Sequence, residues 1–107
     1  MITLYFVPTC SKSRGAAALL DERGVEHTIH DYVKDPLDEA TLAELVTMVG
    51  GDPTDMVRSS TDASTIGEVV AQLLADPADM QRPIGVRDGK AIIARPPERI
   101  LELLDHD

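Results

Sequence analysis

Apolar residues recur along the chain with a period of two in some segments and with a helical period in others. Residues 2–7 are rich in β-branched and aromatic side chains and stop at Pro8, which predicts a strand and a sharp turn. Residues 11–23 have good helix propensity and are followed by Gly24, which is typical just beyond a helix end. Residues 25–32 alternate apolar with polar and predict a second strand. Because a right-handed crossover makes two such strands parallel, the chain is predicted to open with a βαβ unit.

Helical spacing dominates the middle third of the chain. After a break at Asp35-Pro36, apolar residues recur every three or four positions up to Gly50 and predict a helix. A short helix is predicted over residues 52–58, followed by a polar loop. A further amphipathic stripe over residues 66–74 predicts another helix.

Two short apolar runs begin the last third of the chain. The turn residues 87–90 separate them, which predicts an antiparallel β-hairpin over residues 84–94. Pro96-Pro97 then precedes a last predicted helix over residues 98–104. The order β-α-β-α-α-α-β-β-α shows no linker or repeat. We therefore expect a single α/β domain over residues 1–107, with a helical insertion.

The composition narrows the class of protein. A chain of 107 residues that is 43% apolar is long enough to bury a core without covalent staples. Its single cysteine, Cys10, cannot form an internal disulfide, which favours a reducing compartment. No apolar run approaches the roughly 18 residues of a membrane span, and no signal peptide is visible. We expect a soluble, cytoplasmic protein.

Charge and histidine content argue against two further classes. Ten Lys and Arg against nineteen Asp and Glu give a net charge of −9, which disfavours binding to nucleic acid. The three histidines, His27, His30 and His106, are spread along the chain. With one cysteine they make no zinc-ligand set of recognised spacing, so no metal site is expected.

Cys10 lies directly after the first predicted strand and directly before the first predicted helix. At a helix start the backbone N–H groups lack partners and the helix dipole is positive, and both effects favour a thiolate. A lone cysteine is more often a buried small apolar residue. Cys10, however, stands between Thr9 and Ser11-Lys12 rather than on an apolar stripe. The pattern therefore predicts a nucleophilic thiol.

Three segments of this chain carry a resemblance to a known family. The first is the loop with Pro8, Cys10, Ser13 and Arg14. The others are Arg82-Pro83-Ile84 and Arg95-Pro96. Together they resemble the glutaredoxin-coupled arsenate reductases, or ArsC-like proteins, and the resemblance extends over nearly the whole chain. It implies a thioredoxin/glutaredoxin-like fold with a mixed four-stranded sheet and a helical insertion.

The resemblance also implies a reaction and a set of site residues. Arg58, Arg82 and Arg95 fall on the three arginines that bind arsenate in that family, and Pro83 is expected to follow a cis peptide bond. The Cys10 thiolate would attack arsenate to form a covalent adduct. A small thiol, glutathione or an equivalent, would attack the adduct, and a glutaredoxin-type partner would reduce the resulting intermediate. No bound cofactor is implied.

The physical chemistry of these residues agrees with that reaction. Guanidinium groups bind oxyanions in a bidentate manner, and the backbone amides of Ser11, Lys12, Ser13 and Arg14 are expected to form an anion cradle at the helix start. The same positive field lowers the pKa of Cys10. Lys12 either tunes the thiol or faces water, and Ser13 either bonds the sulfur or completes the first helical turn. A dithiol mechanism is excluded, because Ser13 stands where a C-x-x-C oxidoreductase keeps its resolving thiol.

Two departures from the family pattern leave the substrate open. Better-known members have a histidine where this chain has Phe6. This chain therefore lacks a polar group that those members have near the thiol. The segment 58–68 is also shorter than in those members, so the resemblance does not fix the part of the pocket wall that this segment supplies. A related thiol-dependent reductase of another substrate is therefore a second hypothesis.

A third hypothesis is an Spx-like regulator, which shares this fold and binds RNA polymerase instead of catalysing a reaction. Many such regulators carry a C-x-x-C redox switch, which residues 10–13 lack. The sequence therefore favours the enzyme. The apolar stripes are all accounted for by one core, so a monomer is expected.

Overall fold

Four strands form one mixed sheet in the order β2-β1-β3-β4. In a computed structural model that describes residues 1–104, β1 (Ile2–Phe6) pairs in parallel with β2 (His27–Asp31). It pairs antiparallel with β3 (Ile84–Arg87), which in turn pairs antiparallel with β4 (Lys90–Ile93). The predicted βαβ unit, hairpin and mixed four-stranded sheet are thus confirmed. His106 lies outside the described residues.

The three α-helices lie in segments predicted to be helical, the helix predicted over residues 52–58 is a shorter 3-10 helix, and one further 3-10 helix, Pro77–Asp79, was not predicted. There are three α-helices among the described residues: α1 (Ser11–Glu22), α2 (Glu39–Val49) and α3 (Ile66–Ala75). Three short 3-10 helices span Pro53–Met56, Pro77–Asp79 and Pro97–Leu103. Across residues 1–104, no helix combines the length and apolar character needed to cross a membrane.

The last helix differs in type from an α-helix. It begins at Pro97, one residue before the predicted start, and its bonds run from residue i+3 to residue i, as from the Leu104 amide to the Leu101 carbonyl at 3.1 Å. The two buried side chains of this segment, Ile100 and Leu103, are three positions apart. A 3-10 helix has three residues per turn and places both on the same line, facing the sheet.

Helix capping distinguishes α1 from the other two α-helices. The Asp38 carboxylate accepts a bond from the Thr41 amide at 2.8 Å at the start of α2. The Thr65 hydroxyl accepts from the Glu68 amide at 3.2 Å at the start of α3. The N-cap of α1 is Cys10, and it makes no side-chain capping bond of this kind. The first amides of α1 therefore keep their hydrogen-bonding capacity for another group.

The sheet separates two clusters of buried apolar side chains. Neighbouring strand residues point to opposite faces, so Ala91 and Ile92 of β4 belong to different clusters. On the α1 side the buried members are Ile2, Leu4, Ala16, Leu20, Ile92, Ala94, Ile100 and Leu103. On the α2 and α3 side they include Val7, Tyr32, Leu45, Met56, Val69, Leu73, Met80 and Ile84. Val7, the residue directly after β1, belongs to the cluster on the α2 and α3 side and leads into the loop that carries Cys10.

Gly85 of β3 packs closely against the last helix. A Cβ atom added there would lie 2.7 Å from Leu103 Cδ1 and would also collide with Ile100 Cδ1, both in the core. We expect Gly85→Ala to destabilise the fold by about 1–3 kcal/mol, because overpacking a filled core forces side chains out of their rotamers.

Urea unfolding checks this expectation against Gly67→Ala as a matched control. Gly67 lies in α3, and an added Cβ there would meet no atom within 4 Å. Alanine is the better helix former, so the control is expected to be neutral or to gain up to about 1 kcal/mol. Equal stability changes in both variants would contradict the packing argument.

Candidate active site

Cys10 lies at the carboxyl end of β1 and at the N-cap of α1. Its amide donates to the Val7 carbonyl at 3.0 Å, and its carbonyl accepts the first helical bond, from the Arg14 amide at 3.1 Å. The side chain is half-buried against the core on the α2 and α3 side. The predicted amide cradle is therefore narrower by one group, since Arg14 uses its amide within the helix. The amides of residues 11–13 remain for the Cys10 sulfur or for an anion beside it.

Several groups act on the Cys10 thiol. Partial burial alone would raise its pKa, but hydrogen bonding from the amide and hydroxyl of Ser13, from the Lys12 amide, and the charge of Arg82 together lower it. The net effect is a lowered pKa, which makes ionisation of the thiol easier, although Cys10 makes no side-chain capping bond. The positive helix start and one predicted arginine thus act on the predicted nucleophile.

Ser13 connects the thiol to the end of β1. Its side chain is fully buried, and its Oγ accepts a hydrogen bond from the Val7 amide at 3.2 Å. Because that bond uses a lone pair of the hydroxyl, the hydroxyl proton is left to donate toward the Cys10 sulfur. Of the two interpretations that the sequence left open, the structure favours a role beside the thiol, because the backbone group that the hydroxyl binds is the Val7 amide and not one in the first helical turn.

We expect Ser13→Ala to raise the pKa of Cys10 and to reduce stability by about 1–2 kcal/mol. The variant removes a hydrogen bond to the thiolate and leaves the buried Val7 amide without its acceptor. A higher pKa moves the pH dependence of iodoacetamide alkylation to higher pH, so alkylation at pH 7 becomes slower.

Ser11→Ala is the control for this measurement, because Ser11 is exposed at the first position of the same helix. It should leave the alkylation curve in place. An unchanged curve in Ser13→Ala would show that the hydroxyl does not act on the sulfur.

Arg82 is a buried arginine with one end of its guanidinium fixed. The residue is 7% exposed, and its Nη1 donates to the carbonyls of Ala78 at 2.7 Å and Met80 at 3.1 Å. No buried side-chain nitrogen or oxygen within residues 1–104 lacks a partner. Within that part of the chain the bonds found for this guanidinium are made by Nη1, which leaves Nε and Nη2 for another partner. They form the edge that a bidentate anion would meet.

The Arg82–Pro83 peptide bond is cis, as the resemblance implies. The Arg95–Pro96 bond is cis as well. Arg95 is half-buried, and its Nη1 donates to the Arg82 carbonyl at 2.9 Å. Two of the predicted arginines are therefore joined directly, through the backbone next to Pro83.

Arg58 reaches the same region by a different route. Its side chain is exposed, and its amide donates to the Asp79 carbonyl at 2.8 Å. The charge of Arg58 acts on Tyr32, as do the charges of Arg82 and Cys10. Arg82 thus acts directly on Cys10, whereas Arg58 is linked to it through Tyr32 and Arg95 through the Arg82 carbonyl.

Tyr32 is a central residue that the sequence-based reasoning placed only at the end of a strand. It is 1% exposed, and its hydroxyl donates to the Met80 carbonyl at 2.7 Å, the same carbonyl that Arg82 uses. Burial raises the pKa of Tyr32 to about 12, with the positive charges of Arg82 and Arg58 opposing the rise. The signal for Tyr32 was present in the topology, because parallel strands bring the ends of β1 and β2 to one edge of the sheet.

The remaining residues predicted around the thiol are peripheral. Lys12 is exposed, and the exposed Arg14 donates from Nη1 to the Pro8 carbonyl at 2.9 Å. That bond ties α1 to the turn before it and does not add Arg14 to the anion-binding arginines. Phe6 packs against the apolar cluster on the α1 side, whereas Cys10 packs against the other cluster.

The histidines within the described residues are engaged with the backbone. His27 Nδ1 contacts the Val25 carbonyl at 2.8 Å, and His30 Nε2 contacts the Asp35 carbonyl at 2.7 Å. In this part of the chain no three His, Cys, Asp or Glu side chains come together as metal ligands.

Comparison with known proteins places this chain in a family. No protein-family model matches the chain. The chain is 38% identical to the uncharacterised protein YfgD of Escherichia coli over 96% of each, and 32% identical to an arsenate reductase of Neisseria meningitidis over 96% of this chain and 97% of that one. The solved structure of an arsenate reductase from Vibrio cholerae superposes with a TM-score of 0.88 at 28% identity, over 96% of this chain and 97% of that chain. With the thiol at the helix start and the buried arginine beside it, these likenesses show that the chain belongs to the arsenate reductase (ArsC) family of thioredoxin-like fold.

Proposed function

We propose that the protein is an oxidoreductase that reduces arsenate to arsenite through a covalent adduct on Cys10. The observation that carries the proposal is the pairing of a thiol of lowered pKa with the buried guanidinium of Arg82 at one helix start. The same field binds an anion and supplies a thiolate to attack it. Membership of the arsenate reductase family names the anion.

Arsenate would bind between the helix start and the arginines. The amides of residues 11–13 donate to one side of the anion, and Nε and Nη2 of Arg82 donate to another. Arg95 donates a hydrogen bond to the Arg82 carbonyl and so supports the position of Arg82. The rest of the Arg95 guanidinium would donate to the anion. Arg58 closes the site from the exposed side. Hydrogen-bond donors would thus surround the charged arsenate oxygens on several sides. They would hold the arsenic atom in position for attack by the Cys10 sulfur.

The reaction balances with external thiols as the reductant. The Cys10 sulfur bonds to arsenic and one oxygen leaves as water, and a small thiol such as glutathione then replaces a second oxygen, again with loss of water. A redoxin thiol then attacks the sulfur of the bound small thiol and forms a mixed disulfide with it. The bond between that sulfur and arsenic breaks, and its electron pair stays on arsenic, which is reduced from the +5 to the +3 state. Water then releases arsenite and restores the Cys10 thiol. In total, two thiols become one disulfide for each arsenite formed.

The need for an outside thiol follows from the chain itself. Cys10 is its only cysteine, and Ser13 fills the place of a resolving thiol with a fully buried hydroxyl. The chemistry requires a second thiol, and the resemblance to the glutaredoxin-coupled reductases makes a glutaredoxin-type protein the proposed donor. We place the reaction in the cytoplasm, where thiols are kept reduced. All the proposed ligands come from one chain, so a monomer suffices.

The test is a measurement of arsenate-dependent thiol oxidation with the purified protein, glutathione and a glutaredoxin. The expected result is arsenite and disulfide formed in equal amounts, with no reaction when phosphate or sulfate replaces arsenate. Without thiol oxidation in the presence of arsenate, the proposed substrate is wrong. If another oxidised substrate consumed thiol through Cys10, the protein would be a thiol-dependent reductase of different specificity.

A further inference from the structure

Arg58 lies at the start of a polar loop that has little apolar anchoring. We call residues 58–65 the Arg58 loop; it contains four Ser or Thr between Ser59 and Ser64, and of its residues only Thr61 and Ala63 are even partly buried. The loop leaves the core after Val57, which forms an isolated antiparallel bridge with Met80. A loop of this composition needs specific hydrogen bonds to hold a single conformation.

Asp79 supplies those bonds on both sides of Arg58. The Arg58 amide donates to the Asp79 carbonyl at 2.8 Å, and the next amide, that of Ser59, donates to Asp79 Oδ1 at 3.0 Å. The backbone torsions on either side of the Arg58 Cα are therefore held by one residue. The Ser59 hydroxyl adds a bond to Asp79 Oδ2 at 2.7 Å.

Gln72 of α3 extends this network to the middle of the loop. Its Nε2 donates to Asp79 Oδ2 at 2.8 Å, and its Oε1 accepts from the Thr61 hydroxyl. The Thr61 hydroxyl oxygen in turn accepts from the Ala63 amide at 3.0 Å. The loop is thus tied to α3 and to the segment that leads into Arg82, which is three residues after Asp79.

We propose that Asp79 is a positioning residue that holds the Arg58 loop, and with it the Arg58 guanidinium, against the segment carrying Arg82. Asp79 does not touch the proposed substrate; it acts through Arg58, so this inference rests on the proposed function. The carboxylate is half-buried and receives three donors, and Arg58 lies close enough for its charge to act on it. A spacing between Arg58 and Arg82 that suits one anion then depends on Asp79.

The rate of limited trypsin digestion after Arg58 measures how well the Arg58 loop is held in one conformation. Trypsin cleaves after Arg58, and the amide of the bond it cuts is the one that donates to Asp79 Oδ1. We expect Asp79→Asn to speed cleavage at this bond by about fivefold or more, because the asparagine cannot accept from both Ser59 and Gln72. Cleavage after Arg23, in another part of the chain, should stay at the wild-type rate.

The dissociation constant of arsenate measures whether the Arg58 loop contributes to anion binding. Protection of Cys10 from iodoacetamide by arsenate gives a dissociation constant without requiring turnover. We expect Asp79→Asn to weaken that constant by roughly tenfold, and to have no effect in a chain that already carries Arg58→Ala. Asp76→Asn removes the same charge three residues earlier, where no side-chain cap bond is made, and should change neither reading.

A paired substitution keeps the test valid if the single variant loses stability. In Asp79→Asn with Gln72→Glu, the new amide at position 79 donates to the new carboxylate at position 72, whose second oxygen still accepts from Thr61. Slow cleavage after Arg58 and arsenate protection should both return.

Two results would overturn the proposal: cleavage after Arg58 unchanged in Asp79→Asn, or weaker arsenate binding to the same extent in the Arg58→Ala background. If the wild-type protein showed no arsenate protection, the proposed function would fail, while the cleavage rates would still decide whether Asp79 orders the loop.

Discussion

We expect Cys10→Ser to abolish arsenate-dependent thiol oxidation, by roughly 10³-fold or more, since loss of a covalent nucleophile is rarely compensated. A serine hydroxyl at the N-cap keeps its proton at neutral pH, and the field that lowers the pKa of the thiol is far too weak to ionise it. The fold should be unaffected, because serine is a good N-cap residue. Arsenite formation under saturating glutathione and glutaredoxin is the measurement.

A displaced thiol is the matched control for this variant. Cys10→Ser combined with Ser11→Cys keeps one cysteine per chain but moves it from the N-cap to the first helical position, which is exposed. We expect no recovery of activity, because attack requires the sulfur to stand at the point where the amides and Arg82 converge. Activity in either variant would show that arsenate is reduced without the Cys10 adduct.

The second large effect is expected at Arg82. Charge-assisted hydrogen bonds contribute about 1.5–3 kcal/mol each, so loss of the Nε and Nη2 edge in Arg82→Ala should weaken arsenate binding by roughly 10²–10⁴-fold. The pKa of Cys10 should rise as well, because the charge of Arg82 contributes to lowering it. Protection of Cys10 from alkylation by arsenate measures the first effect, and the pH dependence of alkylation measures the second.

Stability has to be followed alongside, because Arg82 also binds the backbone. Its loss removes donors from the carbonyls of Ala78 and Met80, although the Met80 carbonyl keeps the Tyr32 hydroxyl. We expect a cost of about 1–2 kcal/mol in urea unfolding. Arg82→Lys separates charge from shape, since lysine keeps the charge but cannot present two parallel donors.

Arg99→Ala is the control arginine for these measurements. Arg99 is exposed and pairs with Glu102 at 3.2 Å, away from the cysteine loop. Neither arsenate protection nor the alkylation curve should change in that variant. Full arsenate protection in Arg82→Ala would remove Arg82 from the anion site.

Much of the fold follows from local patterns in the chain. The individual strands β1 and β2, the hairpin turn at Asp88-Gly89 and the end of α1 before Gly24 each depend on residues close together in sequence. The type of the last helix does not. Its 3-10 geometry follows from the way Ile100 and Leu103 fit against the sheet, which is a contact between distant segments.

The site divides in the same way. The position of Cys10 at a helix start is a local property, and it is confirmed. Taken singly, Arg82 reads as a solvated surface charge, and only the assembled chain shows it buried on two carbonyls. Tyr32 and Asp79 were missed because their partners lie far along the chain, at Met80 for Tyr32 and in the Arg58 loop for Asp79. Hydrogen bonds of that kind leave no periodic signal in a sequence.

The buried hydroxyl of Ser13 has a consequence for how such a protein could change its chemistry. One substitution, Ser13→Cys, would place a second redox sulfur in this helix turn. It would also remove the Ser13 hydroxyl oxygen, which accepts the hydrogen bond from the Val7 amide directly after β1. Sulfur is larger and accepts hydrogen bonds poorly, so the gain of self-sufficient electron transfer would come with a loosened strand end. In the proposed reaction, the buried Ser13 hydroxyl thereby favours dependence on an outside thiol.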